Sequence, residues 1–372
     1  MDRKDPFKKD YSALDSAEDL TKSIDGILQD FYNRTEIPSF EDMKKKGNAA
    51  SEKQEEQSAA ENRAEAAGKE PAAEGRAEAV SEEAKQEEEP EKTLEELLEE
   101  LDGLVGLESV KADVHSLINF IKINKLREER GMKVPTISYH LVFTGNPGTG
   151  KTTIARLIAK LYHSMGILPK GQLVEVDRSA LVGGYLGQTA IKTKEAVDSA
   201  MGGVLFVDEA YSLANDDRDS YGKEAIETIL KAMEDHRDEL VVIVAGYDEL
   251  MHKFIDSNPG LQSRFSKYFH FPDYTGEEML KIFDRYCASN GYRTEEEAEA
   301  ELAETFGKMY EDRDENFGNA RTVRNIFEKA IHCQANRLAA DSELTDEELQ
   351  LLTIDDVREA INREDNYENA GN

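Results

Sequence analysis

The chain has 372 residues, enough for two or three domains of average size. Its formal net charge of −32 disfavours non-specific binding to nucleic acid or to an anionic membrane surface. It contains no apolar run of transmembrane length and opens with no hydrophobic signal region, so we expect a soluble cytoplasmic protein without a membrane partner.

Residues 1–46 form a small N-terminal segment in which the spacing of apolar residues predicts one amphipathic helix. The apolar face of this helix consists of Leu20, Ile24, Ile27, Leu28 and Phe31. One helix cannot bury such a face by itself. The helix therefore either docks on the protein's own core or recruits a partner or a substrate.

Residues 47–92 are rich in Glu, Ala, Lys and Gln and contain almost no apolar side chain larger than alanine. Residues 51–100 include 18 Glu and 6 Lys plus Arg and so carry a net charge of −12. Such a composition cannot bury enough surface to fold. We expect a disordered acidic linker, which holds much of the negative charge of the chain.

Residues 93–272 alternate helical and strand-like patterns. Thr93 and Glu96 predict a capping box, and a longer helix follows at about 109–130. Strand-like runs lie at 137–143, 172–176, 204–207, 240–245 and 267–271. Strands that alternate with helices predict an α/β domain with a parallel sheet covered by helices on both faces.

The pattern changes after Pro272. Residues 273–364 show helical spacing and no convincing strand, which predicts a small all-α domain behind the α/β domain. Thr275 and Glu278 open its first helix, and further helices are predicted at 321–338, 345–352 and 354–363. Residues 365–372 form a tail.

Residues 145–152 read Gly-Asn-Pro-Gly-Thr-Gly-Lys-Thr, a complete phosphate-binding loop between a strand-like run and a helical pattern. Gly145, Gly148 and Gly150 allow the backbone to wrap closely around phosphate oxygens. Lys151 neutralises the outer phosphates, and the hydroxyl of Thr152 is a ligand for Mg²⁺. The loop predicts binding of a nucleoside triphosphate.

Residues 204–209 read Val-Leu-Phe-Val-Asp-Glu, a buried strand that delivers two carboxylates to the carboxyl edge of the sheet. By itself such a pair is often only a solvated strand end. It follows the phosphate loop, however, and we therefore expect Asp208 to hold Mg²⁺ and Glu209 to orient the attacking water. A water-activating carboxylate favours turnover over simple nucleotide binding.

The order of these motifs resembles that of the AAA+ ATPases, and within them the group that contains the red-type rubisco activase CbbX and the stage V sporulation protein K. The similar stretches are 141–153, 181–190, 201–211, 243–247, 258–265 and 318–325. The resemblance covers about residues 93–364. It implies a P-loop NTPase (AAA+) domain followed by a helical lid.

The resemblance also implies a Mg²⁺-dependent ATPase that forms a homo-oligomeric ring, a hexamer in this superfamily, and acts on a protein substrate of unknown identity. The residues that it assigns to ATP are Val105, Gly106, Leu107, Gly145, Asn146, Pro147, Gly148, Thr149, Gly150, Lys151, Thr152, Thr153, Asp208 and Arg321.

Two further residues gain roles from the resemblance. Arg264 matches the arginine finger, which enters the nucleotide site of a neighbouring subunit and completes catalysis with Glu209 and Lys151. Tyr185 matches the aromatic residue that lines the ring pore and grips a polypeptide, although by itself it is an ordinary exposed loop tyrosine. The usual sensor asparagine after the fourth strand is missing, which leaves Tyr247 or Asp248 for that role.

Two functions remain open from the sequence. The first is a ring-forming ATPase that remodels or threads a protein. The second is an ATP-gated binding or assembly module in which hydrolysis acts only as a timer. A nucleic-acid motor is disfavoured because the chain is acidic and has no basic patch interleaved with aromatic residues.

Overall fold

The computed structural model describes residues 92–135, 138–185, 187–214, 219–314, 316–339 and 343–370, without the side chains of 365–370. The predicted N-terminal segment with its amphipathic helix lies outside the described residues. The same holds for the predicted linker, apart from its last residue, Lys92.

The first part of the described chain is an α/β domain. Its strands are β1 (Leu141–Thr144), β2 (Leu173–Val176), β3 (Val204–Val207), β4 (Val241–Gly246) and β5 (Lys267–His270). Its helices are α1 (Leu94–Asp102), α2 (Glu108–Glu129), α3 (Lys151–Ser164), α4 (Arg178–Leu181), α5 (Gln188–Ala200), α6 (Ser220–Asp235), α7 (Asp248–Asp256) and α8 (Pro259–Arg264). The strands form a parallel sheet in the order β2-β3-β4-β1-β5, which confirms the predicted fold class.

Helices cover both faces of this sheet, and its central strands are therefore buried on both sides. Successive side chains of a strand point to opposite faces. Accordingly, Leu141 and Phe143 belong to one apolar cluster and Val142 to the other, and all three are fully buried. This double burial explains the continuous apolar runs of β1, β3 and β4.

Phe143 is the centre of an aromatic group beneath the phosphate loop. Its ring centroid lies 4.9 Å from that of Phe271, 5.5 Å from that of Phe269 and 6.5 Å from that of Phe206. These contacts connect β1 with β3 and with the end of β5. The loop that follows Thr144 therefore starts from a rigid base.

The remaining residues form a helical lid. Its helices are α9 (Gly276–Ser289), α10 (Glu296–Glu311), α11 (Ala320–Leu338), α12 (Asp346–Gln350) and α13 (Ile354–Ala370). Capping boxes at Thr275 and Thr345 open α9 and α12, as threonine followed three residues later by glutamate predicts. The predicted helical lid is confirmed, and its last helix continues past the predicted end at residue 363.

The lid also contains one short pairing that the sequence pattern did not indicate. Strands β6 (Arg293–Thr294) and β7 (Leu351–Leu352) are parallel and only two residues long. A two-residue strand has no measurable alternation, so periodicity cannot detect it. Over the described part of the chain, no helix is both long and apolar enough to cross a membrane.

Candidate nucleotide-binding site

A cavity of about 760 Å³ lies between the carboxyl edge of the sheet and the lid. This volume is in the usual range for a small-molecule site. The cavity is lined by the phosphate loop, by Asp208 and Glu209 after β3, by Tyr247 after β4, and by the lid residues Tyr286, Arg321 and Arg324. The sheet edge and the lid thus contribute to one site.

The phosphate loop depends on glycine at three positions. Gly145, Gly148 and Gly150 have φ angles of 139°, 73° and 93°, in the region that favours glycine. A Cβ atom on Gly145 would lie 2.2 Å from the carbonyl oxygen of Phe271, and one on Gly148 would lie 2.2 Å from that of Gly318. The loop is therefore enclosed between the end of β5 and the lid.

Lys151 lies at the centre of the loop. Its Nζ atom donates hydrogen bonds to the carbonyl oxygens of Gly145 at 2.9 Å and Asn146 at 2.8 Å. Burial lowers the pKa of Lys151 to about 8, although the carboxylates of Asp208 and Asp248 act in the opposite direction. The site thus contains an ammonium group whose charge is poorly solvated and suited to pairing with an anion.

Asp208 and Glu209 lie directly after β3 and both line the cavity. The backbone N–H of Asp208 still donates to the carbonyl of Val176 at 2.8 Å, which fixes the start of the turn. Glu209 has a φ of 47°, and its N–H donates to Oδ1 of Asp208 at 3.0 Å. A left-handed backbone is uncommon for a residue other than glycine, and such strain is concentrated at functional sites.

The two candidate sensor residues lie in different surroundings. Tyr247 lines the cavity, and its ring centroid is 6.0 Å from that of Tyr211. Asp248 instead lies within hydrogen-bond distance of His270, with 3.1 Å between its Oδ1 atom and Nδ1 of the histidine. Burial, with the nearby Glu209 carboxylate, raises the pKa of Tyr211 to about 12. Tyr247 thus lines the cavity, whereas Asp248 acts on it through the electrostatic effect of its carboxylate on Lys151.

The segment predicted to pack around the base also reaches the cavity. Val105 and Leu107 line it, and Gly106 turns the backbone between them with a φ of 60°. A Cβ atom on Gly106 would lie 2.3 Å from Oε1 of Glu278, so a side chain here would displace the end of that flexible lid side chain. Tyr286 and Ile282 face the same end from α9.

Most of the predicted ATP-binding residues line the cavity together. They are Val105, Leu107, Gly145, Pro147, Gly148, Gly150, Lys151, Thr152, Thr153, Asp208 and Arg321. Thr149 is instead fully buried, and its hydroxyl donates to the carbonyl of Asn146 at 2.8 Å. The amide of Asn146 points to Asp273 at 3.0 Å. These two residues shape the loop rather than face the cavity.

Arg264 and Tyr185 do not line this cavity. Arg264, at the end of α8, forms an ion pair with Glu234 at 3.1 Å and donates to the carbonyl of Gly260 at 3.3 Å. Tyr185 is 74% exposed in the loop before α5. Neither residue therefore contributes to the cavity formed by its own chain.

Sequence reasoning did not single out the residues that join the loop to the lid. Asp273 and Asn319 lie beside the phosphate loop, and the hydroxyl of Tyr274 donates to the carbonyl of Thr149 at 3.3 Å. Asn319 belongs to the Gly-Asn-Ala-Arg stretch in which only Arg321 was assigned. The position of Asn319 shortly before the helix predicted at 321–338 was the signal that could have drawn attention to it.

Two family models match the chain. The model of the ATPase family associated with various cellular activities (AAA) matches residues 141–273, and that of the AAA lid domain matches residues 275–366. The boundary between the two matches falls at the junction between the sheet and the lid.

Several proteins are similar over most of their length. Stage V sporulation protein K of Bacillus subtilis is 42% identical over 68% of this chain and 79% of its own. Protein CbbX of Cereibacter sphaeroides is 44% identical over 68% of this chain and 83% of its own. The chloroplastic ribulose bisphosphate carboxylase/oxygenase activase of Cyanidioschyzon merolae is 42% identical over 68% and 87%. These matches confirm the resemblance seen in the motifs.

We expect ATP binding to take up protons at alkaline pH. The free protein loses the Lys151 proton as the pH rises through about 8, whereas phosphate oxygens beside the ammonium would retain it. The bound state then holds more protons, so ATP affinity falls as the pH rises above about 8. Calorimetric titrations at about pH 8.5 in two buffers of different ionisation enthalpy measure this uptake. The control is the same pair of titrations at about pH 6.5, and near-zero uptake at both values would contradict the expectation.

Proposed function

The chain belongs to the AAA+ family of ATPases, in the group of stage V sporulation protein K and CbbX, and from this premise we propose that it forms a ring and remodels a protein substrate by Mg²⁺-dependent ATP hydrolysis. The observation that carries the proposal is the division of the site. One chain supplies the phosphate loop, the two carboxylates and the lid arginines, whereas its Arg264 lies elsewhere.

The cavity fits a magnesium nucleotide by the chemistry of its lining. Gly145, Gly148 and Gly150 line the cavity, and a glycine backbone can approach a bound phosphate closely. The hydroxyl of Thr152 and the carboxylate of Asp208 are hard oxygen donors of the kind that Mg²⁺ prefers. When bound, the ion would neutralise charge on the outer phosphates.

The residues of this chain then have separate tasks. Lys151 pairs with the outer phosphates, and its partial burial strengthens that pairing because water screens it poorly. Glu209 orients and polarises the attacking water from its fixed left-handed turn. Arg321, in the first turn of α11, approaches the phosphates from the lid. Tyr247 serves as the sensor after β4.

Arg264 would complete the site of the next subunit. Its Nε atom is buried and, within the described part of the chain, has no hydrogen-bond partner. Its Nη atoms are held by Glu234 and by the carbonyl of Gly260. The guanidinium as a whole is partly exposed, and such a group suits a task at an interface because it stays charged at every physiological pH.

The exposure of Tyr185 is an argument that the substrate is a protein. The ring is exposed and lies between Gly184 and the start of α5, in the place where the family presents a pore residue. One of the similar proteins is named as an activase of ribulose bisphosphate carboxylase/oxygenase, which is itself a protein. We therefore propose a protein as the substrate class and assign no individual substrate.

Glu209→Gln should bind ATP with nearly unchanged affinity and hydrolyse it at least about a hundredfold more slowly, because the amide cannot accept a proton from water. Steady-state phosphate release and ATP titration measure the two properties. Glu239→Gln is the matched control, since Glu239 is exposed at the opposite end of β4. Hydrolysis by Glu209→Gln at the rate of the control would refute the role of Glu209.

Tyr185→Ala should keep the basal ATPase rate but lose its stimulation by an unfolded protein such as casein, whereas Tyr185→Phe should keep both. The aromatic ring, not its hydroxyl, provides the contact with a threaded chain. Stimulation of the alanine variant equal to that of the wild type would contradict threading and favour the ATP-gated binding module.

A further inference from the structure

Four polar side chains meet where the α/β domain joins the lid: Asn146 of the phosphate loop, Asp273 at the junction, and Arg313 and Asn319 of the lid. We call them the junction cluster. Asp273 accepts hydrogen bonds from the amide of Asn146 at 3.0 Å and from the amide of Asn319 at 2.8 Å. Arg313 pairs with its other oxygen at 3.5 Å. The carboxylate thus gathers donors from both domains.

Asn319 is the fully buried member of the junction cluster whose contacts reach both the loop and the junction. Its Nδ2 atom lies 2.8 Å from Oδ1 of Asp273, 3.0 Å from the carbonyl of Phe317 and 3.3 Å from that of Pro147 in the phosphate loop. Its Oδ1 atom accepts from the N–H of Tyr274 at 2.8 Å. A carboxylate accepts hydrogen bonds and does not donate them, so the Nδ2 atom of Asn319, and not its Oδ1 atom, must face Asp273.

The backbone of Asn319 has φ 50° and ψ −130°, a conformation that glycine adopts much more easily. Asn319 precedes α11, yet its side chain does not cap that helix. An ordinary N-cap role therefore does not explain the asparagine. The strained backbone is compensated by hydrogen bonds that all point away from the helix, toward the junction and the loop.

Three consecutive lid residues, Gly318, Asn319 and Ala320, are in close contact with the phosphate loop. The N–H of Ala320 donates to the carbonyl of Gly148 at 3.2 Å, and the carbonyl of Gly318 fills the space where a side chain on Gly148 would lie. Two consecutive loop carbonyls, those of Pro147 and Gly148, thus accept hydrogen bonds from Asn319 and Ala320. Arg321 follows directly and lines the cavity.

We infer that Asn319 is a positioning residue that holds the start of α11, and with it Arg321, in register with the phosphate loop. Asp273 orients the Asn319 amide, and Asn146 links the same carboxylate to the loop. A change in the loop on nucleotide binding would therefore reach the lid through the carbonyls of Pro147 and Gly148. This inference rests on the proposed binding of ATP by the loop and by Arg321.

The test is a double-mutant cycle on the full chain that combines Asn319→Gly with Arg321→Ala in the Glu209→Gln background, where ATP is bound without turnover. Glycine relaxes the backbone at this position and removes only the side-chain contacts. Each single variant should weaken ATP binding about tenfold, and the double variant should bind no more weakly than the weaker single one, because Arg321 is already misplaced. Titration with ATP and Mg²⁺ measures all four affinities.

Asn325→Ala is the matched control, because Asn325 lies on the same helix and its amide donates to Glu364 within the lid at 3.2 Å. Its effect on ATP binding should be small and additive with that of Arg321→Ala. If Asn319→Gly does not fold, Asn319→Asp replaces it, since it keeps the shape but places a second acceptor against Asp273.

Two results would overturn the inference: ATP binding by Asn319→Gly at the affinity of its background, or additive losses of about a hundredfold in the double variant. Failure of the proposed function is recognised separately. In that case the Glu209→Gln variant would still hydrolyse ATP, or adding Arg321→Ala to it would leave its affinity for ATP unchanged.

Discussion

The close packing of the phosphate loop against two backbone carbonyls is the constraint on which the site depends. The carbonyl of Phe271 lies against Gly145 from the end of β5, and that of Gly318 lies against Gly148 from the lid. No side chain can occupy either space, so the loop, the sheet and the lid are in direct backbone contact. The aromatic group around Phe143 supports this arrangement from below. The loop therefore cannot change shape without affecting its neighbours.

The parallel sheet brings the chemistry to the same place. Strand β3 ends beside β4 at the carboxyl edge, and Asp208 and Glu209 enter the cavity from there, opposite the basic side chains of Lys151 and Arg321. The chain as a whole is strongly acidic, but residues 51–100 alone carry −12 of its charge. The cavity can therefore attract a triphosphate locally even though the net charge of the protein is negative.

Features that are local in the sequence could be predicted, and features that depend on distant contacts could not. The loop at 145–152, the strand that ends in Asp208 and the capping box at Thr275 each lie within a few residues, and each is found where predicted. The contact of Asn319 with Asp273 spans 46 residues, and that of Asn146 with Asp273 spans 127. The contact of Asp248 with His270, 22 residues away, likewise could not be read from the sequence. Such contacts arise only from the fold.

We propose that Arg264 of one subunit completes the site of another, and mixing two inactive variants tests this sharing of the site. Glu209→Gln supplies an intact Arg264, and Arg264→Ala supplies an intact Glu209. If the site is shared, an equal mixture that has been allowed to exchange subunits regains ATPase activity, since about a quarter of its interfaces contain both residues. If each chain forms a complete site by itself, the mixture stays as inactive as Glu209→Gln alone, or Arg264→Ala is active before mixing, and either result would contradict the account.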